Sequence, residues 1–250
     1  MRTLEGQRAL VTGGSRGLGL GIVEALVARG AEVTVLARSA GPLEEAKRRL
    51  GVSIIAGDAA DPALAASVLR ELSPTVLVLN AGATPVMAPL HQQSWESFSE
   101  VWNKDVKAAF HWVRTALNLP LAPGSRVLLS SSGAAIGGSP LSGGYAGAKR
   151  MIWLMAGYAN GVAKDLGLDI RFQALVLRQI NGATRLGRTA AETYAQRQGK
   201  SVEEFLAGFG RPYPPREYGE HVASLLTEPQ YESPAAFALT GEQGIQPFDA

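Results

Sequence analysis

The sequence predicts an α/β fold: a single domain, residues 1–250, with a doubly wound parallel sheet of about seven strands and helices on both faces. Three observations carry this expectation. Strand patterns alternate with helix patterns from the first ten residues onward. The strand patterns are continuous apolar runs rather than alternating ones, as in a sheet covered on both sides. And 250 residues, 46% of them hydrophobic, are enough for one large core.

Taken in order, residues 7–12 (QRALVT) read as a strand that enters a glycine-rich turn. Residues 17–29 read as a helix, with Leu18, Ile22, Val23 and Leu26 near helical spacing, and Gly30 as its stop. Residues 32–37 form strand two, 42–50 a short charged helix and 52–56 strand three. Asp61 then Pro62 is the favoured cap-then-proline order for a helix start. Strand four covers 75–79, and a long helix runs from about 94 to 117. Strand five covers 126–130, a helix 143–166 and strand six 169–175. Residues 176–215 break the rhythm, with helical patterns at 189–198 and 202–209 and a rigid turn at 210–215. Their place after strand six suits a lid over a binding site. A helix over 216–226 and a strand at 236–240 close the chain.

Composition narrows the function classes. The formal net charge is +2, no run of like charges occurs, and aromatics are not interleaved with basic residues, so no nucleic-acid partner is expected. With no cysteine, thiol catalysis, disulfides and thiolate metal sites are excluded. His91, His111 and His221 lack ligand spacing, so no metal is expected. No stretch of 18 apolar residues would span a membrane, and the early first strand leaves no room for a signal peptide; a cytoplasmic protein is expected.

The first strand leads directly into Thr12-Gly-Gly-Ser-Arg-Gly-Leu-Gly19. Glycines at 13, 17 and 19 allow a sharp turn and close approach of a ligand. The helix that follows points unpaired N–H groups at that place, which suits a pyrophosphate. Strand before and helix after make this a dinucleotide-binding turn. A Rossmann site for NAD usually ends strand two in an acid. Here Ala37-Arg38 stands there, and Arg16 lies in the turn. A guanidinium can pair with a 2′-phosphate, so NADP(H) is the expected cofactor. Asp58, after strand three, is either an acceptor for the adenine amino group or a local turn residue.

The spacing T-G-x-x-x-G-x-G resembles the short-chain dehydrogenase/reductase family, and further motifs extend the resemblance over nearly the whole chain. Asn80-Ala81-Gly82 follows strand four, as the family's N-A-G does. Tyr145 and Lys149 stand as Y-x-x-x-K, and Ser132 lies thirteen positions before Tyr145, the family's interval. Leu239-Thr-Gly241 resembles its late T-G element. The resemblance implies cofactor contacts from Gly13, Ser15, Arg16, Gly17, Leu18 and Gly19, from Arg38, Asp58 and Ala59, from Asn80, Ala81 and Gly82, and from Tyr145, Lys149 and Ile180. It implies catalysis by Ser132, Tyr145 and Lys149, with Asp105 as a fourth member.

The chemistry accounts for the residue types. Tyr145 and Lys149 are four apart and share a helix face. An ammonium beside a phenol favours the phenolate. Tyr145 can then exchange a proton with a carbonyl or alcohol oxygen, and Ser132 can hydrogen-bond the same oxygen. Two positions depart from the family. Asp105 stands where an Asn usually feeds a water relay to the lysine; the relay can run through its backbone carbonyl, or Asp105 can pair with Lys149, and Asn103 is a second candidate. Leu177-Arg178 replaces a usual Pro-Gly, so Arg178 either enters the nicotinamide pocket or faces solvent or a partner.

The expected function is carbonyl–alcohol interconversion on a small, largely apolar substrate. The alternatives are a cofactor-binding sensor or scaffold, and a non-redox relative catalysing dehydration or isomerisation. The substrate is expected between residues 176–215, 83–93 and 133–144, beside Val86, Met87, Leu90, Ile136 and Leu141. The run Met151 to Met155 is apolar all round its helix, which predicts a homodimer or homotetramer.

Overall fold

A computed structural model of the chain describes residues 4–211 and 213–248. Eight strands form one sheet: β1 (Arg8–Thr12), β2 (Glu32–Ala37), β3 (Ser53–Ala56), β4 (Val76–Leu79), β5 (Ser125–Ser132), β6 (Ile170–Leu177), β7 (Ala236–Thr240) and β8 (Gly244–Pro247). Their order is β3-β2-β1-β4-β5-β6-β7-β8. All neighbours are parallel except β7 and β8. The chain winds outward from β1 to β3, then returns to β4 and winds the other way. The reversal leaves a crevice at the carboxyl ends of β1 and β4, where ligands of such sheets bind.

The helices are α1 (Gly17–Ala28), α2 (Ala40–Leu50), α3 (Pro62–Leu72), α4 (Trp95–Val101), α5 (Lys107–Asn118), α6 (Ala134–Gly137), α7 (Tyr145–Asp165), α8 (Arg185–Gln198), α9 (Val202–Ala207) and α10 (Pro215–Thr227). Helices α3, α5 and α7 pack one face of the sheet around Trp112, Phe172 and Ile152. Helices α1, α2 and α10 pack the other around Ile22, Leu26, Val222 and Phe237. A small satellite of Ala191, Ala195 and Phe205 joins α8 to α9. The Asp61 carboxylate caps α3, accepting from the Ala63 N–H at 2.8 Å.

Three expectations change. An eighth strand, β8, adds to the expected seven: its four residues with one buried side chain, Ile245, carry too little pattern to be legible in the sequence. Strand five runs on to Ser132, because β6 pairs with it through Leu177. The long helix over 94–117 is interrupted by one π-helical turn, Trp102–Val106. Of the rigid turn expected at 210–215, Pro212 lies outside the described residues.

The α1–α10 contact is unusually close. A Cβ built on Gly21 would lie 1.9 Å from the Pro215 carbonyl oxygen, and one on Gly219 would lie 1.9 Å from that of Gly21. Only hydrogen fits at either crossing position. Gly219→Val is therefore expected to lower stability by about 3 kcal/mol or more, whereas Gly41→Ala, on the open side of α2, stays within about 0.5 kcal/mol of the parent or gains slightly. Thermal denaturation of the two variants checks this, and equal melting temperatures would refute it.

Candidate active site

A cleft of about 970 Å³ opens over the carboxyl ends of the central strands. Every residue expected at the cofactor or in catalysis lines it: Gly13, Ser15 to Gly19, Arg38, Asp58, Ala59, Asn80 to Gly82, Asp105, Ser132, Tyr145, Lys149 and Ile180.

The turn after β1 is tied to the end of β4 by one hydroxyl. Thr12 Oγ1 donates to the Val78 carbonyl at 3.3 Å and accepts the N–H groups of Asn80 and Ala81, each at 3.1 Å. Gly13 sits at φ +68°, and a Cβ there would come within 2.8 Å of Ala81 Cα. A Cβ on Gly19 would come within 2.2 Å of the Gly13 carbonyl oxygen. Helix α1 begins at this turn with no side-chain cap at Arg16 and no acid in its first turn. Its first amides thus present a positive end to the cleft without an internal acceptor. Arg16 and Arg38 are exposed and, among the described residues, have no ion-pair partner. Asp58 accepts the Ala60 N–H at 3.0 Å, so its turn role is present while it also faces the cleft.

The three serines ending β5 have separate surroundings. Ser131 donates to the Lys149 carbonyl at 2.8 Å and is committed to α7. Among the described residues Ser132 Oγ has only the long Ala134 N–H bond, 3.3 Å, and it lies at the cleft wall. Tyr145 opens α7, and one turn later Lys149 Nζ stands 5.6 Å from the centre of the Tyr145 ring. Lys149 and Asp105 are both buried, 7% and 2% exposed, so each charge needs a partner within the protein. They form an ion pair, Nζ to Oδ2, at 3.0 Å. The other Asp105 oxygen accepts the Ala83 N–H at 2.7 Å. Burial pulls the Lys149 pKa down, but the Asp105 charge and hydrogen bond, with Tyr145, outweigh it and hold the value above the ordinary lysine range. The ammonium is therefore kept at neutral pH.

Of the two roles expected for Asp105, the pairing with Lys149 is present. Its carboxylate pairs directly with Lys149, and Asn103 instead bonds Ser99 Oγ at 3.2 Å on the exposed side of the π-helical turn. Such a turn shifts the helix register locally and is common at functional sites. Gly82 leaves room for the pair: a Cβ there would lie 2.9 Å from Asp105 Oδ2 and 3.5 Å from Lys149 Nζ. The Leu177-Arg178 departure is accommodated without strain, since Arg178 has no positive φ.

Residues 176–215 line the cleft through Tyr194, Phe205 and Phe209, and through Thr184, whose side chain lies 3.6 Å from a Cβ built on Gly17; none of the four is singled out in the sequence. Tyr194 meets the loop after β5: its hydroxyl is 2.8 Å from Ser139 Oγ and accepts the Leu141 N–H at 3.2 Å. Tyr218 of α10 also reaches the cleft, 1% exposed, and burial pushes its phenol up to about 12. No local pattern marks it, because a buried tyrosine in an amphipathic helix reads as core. Of the five apolar residues expected around the substrate, Ile136 lines the cleft. Val86 and Leu90 are exposed, Leu141 is buried, and Met87 lies off the cleft wall. The loop carrying Val86, Met87 and Leu90 is tied to the loop after β5 by the Ala88 N–H bond to the Leu141 carbonyl, 2.8 Å.

Among the described residues no helix is long and apolar enough to cross a membrane, and no cluster of His, Cys, Asp and Glu could hold a metal. The family model described as short chain dehydrogenase matches residues 7–196. Hydroxynaphthalene reductase arp2 of Aspergillus fumigatus is 36% identical over 66% of this chain, which spans 62% of that relative. Cis-2,3-dihydrobiphenyl-2,3-diol dehydrogenase of Paraburkholderia xenovorans is 33% identical over 73% of this chain and 69% of its own length. A tropinone reductase homolog of Datura stramonium is 31% identical over 96% and 90%. The solved NAD+-bound xylitol dehydrogenase shares the fold, with a TM-score of 0.82, 22% identity, and 96% and 100% of the two chains covered. With its motifs set around one cleft and its family model spanning most of its length, the chain belongs to the short-chain dehydrogenase family of oxidoreductases.

Proposed function

We propose that this protein is an NADP(H)-dependent oxidoreductase that interconverts a carbonyl and a secondary alcohol. The observation that carries the reading is one cleft with Ser132, Tyr145 and a charged, buried Lys149 at one part of its wall and the glycine turn, Arg16 and Arg38 at another. The bare amides of α1 suit the diphosphate, and the two guanidinium groups, with no carboxylate ending β2, suit a 2′-phosphate. When bound, the nicotinamide supplies or accepts the hydride.

The chain's own residues supply the rest. Ser132 donates a hydrogen bond to the substrate oxygen and holds it toward Tyr145. Tyr145 gives that oxygen a proton in the reductive direction and takes one in the other. Lys149 stabilises the phenolate through its charge and holds the ribose; Asp105 is a positioning residue that keeps the ammonium charged and in place. Tyr194, Phe205, Phe209 and Ile136 offer a flat apolar body its surroundings, and relatives named for a hydroxynaphthalene and a dihydrobiphenyl diol fit the same lining. Residues 176–215 act as the substrate cover. Phe110 on α5, Tyr158 and Val162 on α7 and Leu166 just after it remain exposed, a face suited to a homodimer or homotetramer.

Fluorescence titration is expected to show NADPH binding at least about tenfold tighter than NADH, with Arg38→Asp erasing or reversing the difference. NADH preference in the parent would overturn the cofactor assignment. Tyr145→Phe is expected to lower kcat about 10²- to 10⁴-fold, far more than it weakens NADPH binding, in an assay of stoichiometric NADPH consumption against a carbonyl panel. Turnover without net NADPH loss would instead support the non-redox alternative. Light scattering on the eluting protein should give a multiple of the monomer mass, and a monomer at micromolar concentration would refute the α5–α7 interface.

A further inference from the structure

Six basic side chains line the cleft, and five have an assignment or a partner. Lys149 pairs with Asp105 and Lys104 with Glu100. Arg16 and Arg38 stand at the adenosine part of the cleft. Arg185 opens α8 beside Thr184, whose side chain lies 3.6 Å from a Cβ built on Gly17, so it belongs to the phosphate side. The remaining one is Arg178, exposed and without an ion pair or side-chain hydrogen bond among the described residues.

Its place is at the reacting end. Ser132 is the strand partner of Leu177, so Arg178 follows directly after the residue registered with the substrate-binding serine. The Gly133 N–H donates to the Leu177 carbonyl at 2.7 Å, and a Cβ on Gly133 would lie 3.1 Å from Arg178 Cα. The backbone carrying Arg178 is pinned on every side. Its own N–H donates to the Leu239 carbonyl at 2.9 Å. The next side chain, Gln179, donates to the Arg211 carbonyl at 3.0 Å and accepts the Gly241 N–H at 2.7 Å. Asn181 donates to the Tyr213 carbonyl. The fixed backbone sets where the side chain starts, and a planar guanidinium with no other partner among the described residues suits a two-oxygen group. The only carboxylates lining the cleft, among the described residues, are Asp58, at the adenosine part, and Asp105, already paired.

We propose that Arg178 binds a carboxylate of the substrate, so that the protein acts on carbonyl compounds carrying a carboxylate close to the reacting carbon, with an apolar remainder against Tyr194, Phe205 and Phe209. This rests on the oxidoreductase reading above. It adds a specificity contact that reads charge, where the rest of the wall reads shape.

The test uses a matched pair, phenylglyoxylate and its methyl ester, with NADPH and the full chain. The parent is expected to favour the carboxylate in kcat/KM. Arg178→Ala should lose about 10- to 100-fold more of its activity on the carboxylate than on the ester, and Arg178→Lys should recover part of the difference. In parallel, calorimetric titration of phenylglyoxylate into NADP+-saturated protein reads binding without turnover. If neither compound is reduced but phenylglyoxylate binds and Arg178→Ala abolishes that binding, the carboxylate site stands and the redox reading falls. A parent that binds and reduces the carboxylate no better than the ester overturns the proposal. So does an Arg178→Ala variant with an unchanged preference, or one whose main loss is affinity for NADPH itself.

Discussion

Lys149 and Asp105 are both buried at the cleft wall, and the 3.0 Å contact between them offsets the cost of placing either charge there. A buried charge without a partner costs several kcal/mol, so each fixes the position of the other. The pair joins three parts of the chain. Lys149 comes from α7, Asp105 from the π-helical turn between α4 and α5, and the second Asp105 oxygen holds the Ala83 N–H beyond β4. Tyr145 lies one helical turn from Lys149, and Ser131 reaches back to the Lys149 carbonyl. The orientation of the candidate chemistry thus hangs on a contact that contributes little net stability and a great deal of geometry.

Close backbone approach is the second constraint, and the same residue type meets it in two settings. At Gly13 and Gly19 the missing side chain lets β1, β4 and α1 converge on a turn narrow enough to present amides to a ligand. At Gly21 and Gly219 it lets α1 and α10 touch, which seats α10 near enough for Tyr218 to reach the cleft. The helix that presents the turn is thus braced from behind by another that also contributes to the wall.

The sequence was most readable where one short segment decides the outcome. The alternation of apolar runs and helices, the turn at 12–19, the Asp61-Pro62 start and the Tyr145–Lys149 spacing are local patterns, and the structure has an element or side chain at each. What could not be read depends on distant parts of the chain. Strand β8 is a strand only because β7 offers it an edge. The π-helical turn places Asp105 against a lysine more than forty residues later. Val86, Met87 and Leu90 look like pocket residues by composition, yet none of them lines the cleft, and their loop is paired with the loop after β5 instead. Tyr194, Phe205 and Tyr218 reach the wall through packing between helices, which periodicity cannot foresee.

Gln179 has a consequence of its own. By holding the Arg211 carbonyl and the Gly241 amide at once, it welds the start of the cap, the end of the cap and the β7–β8 hairpin into a single frame beside Ser132. Helices α8 and α9 then form a span with both feet on that frame. Between the footings, Tyr194 of α8 is tied to the loop after β5 through Ser139 Oγ and the Leu141 N–H. One amide side chain thereby draws segments more than thirty residues away from it in the chain into the surroundings of Ser132.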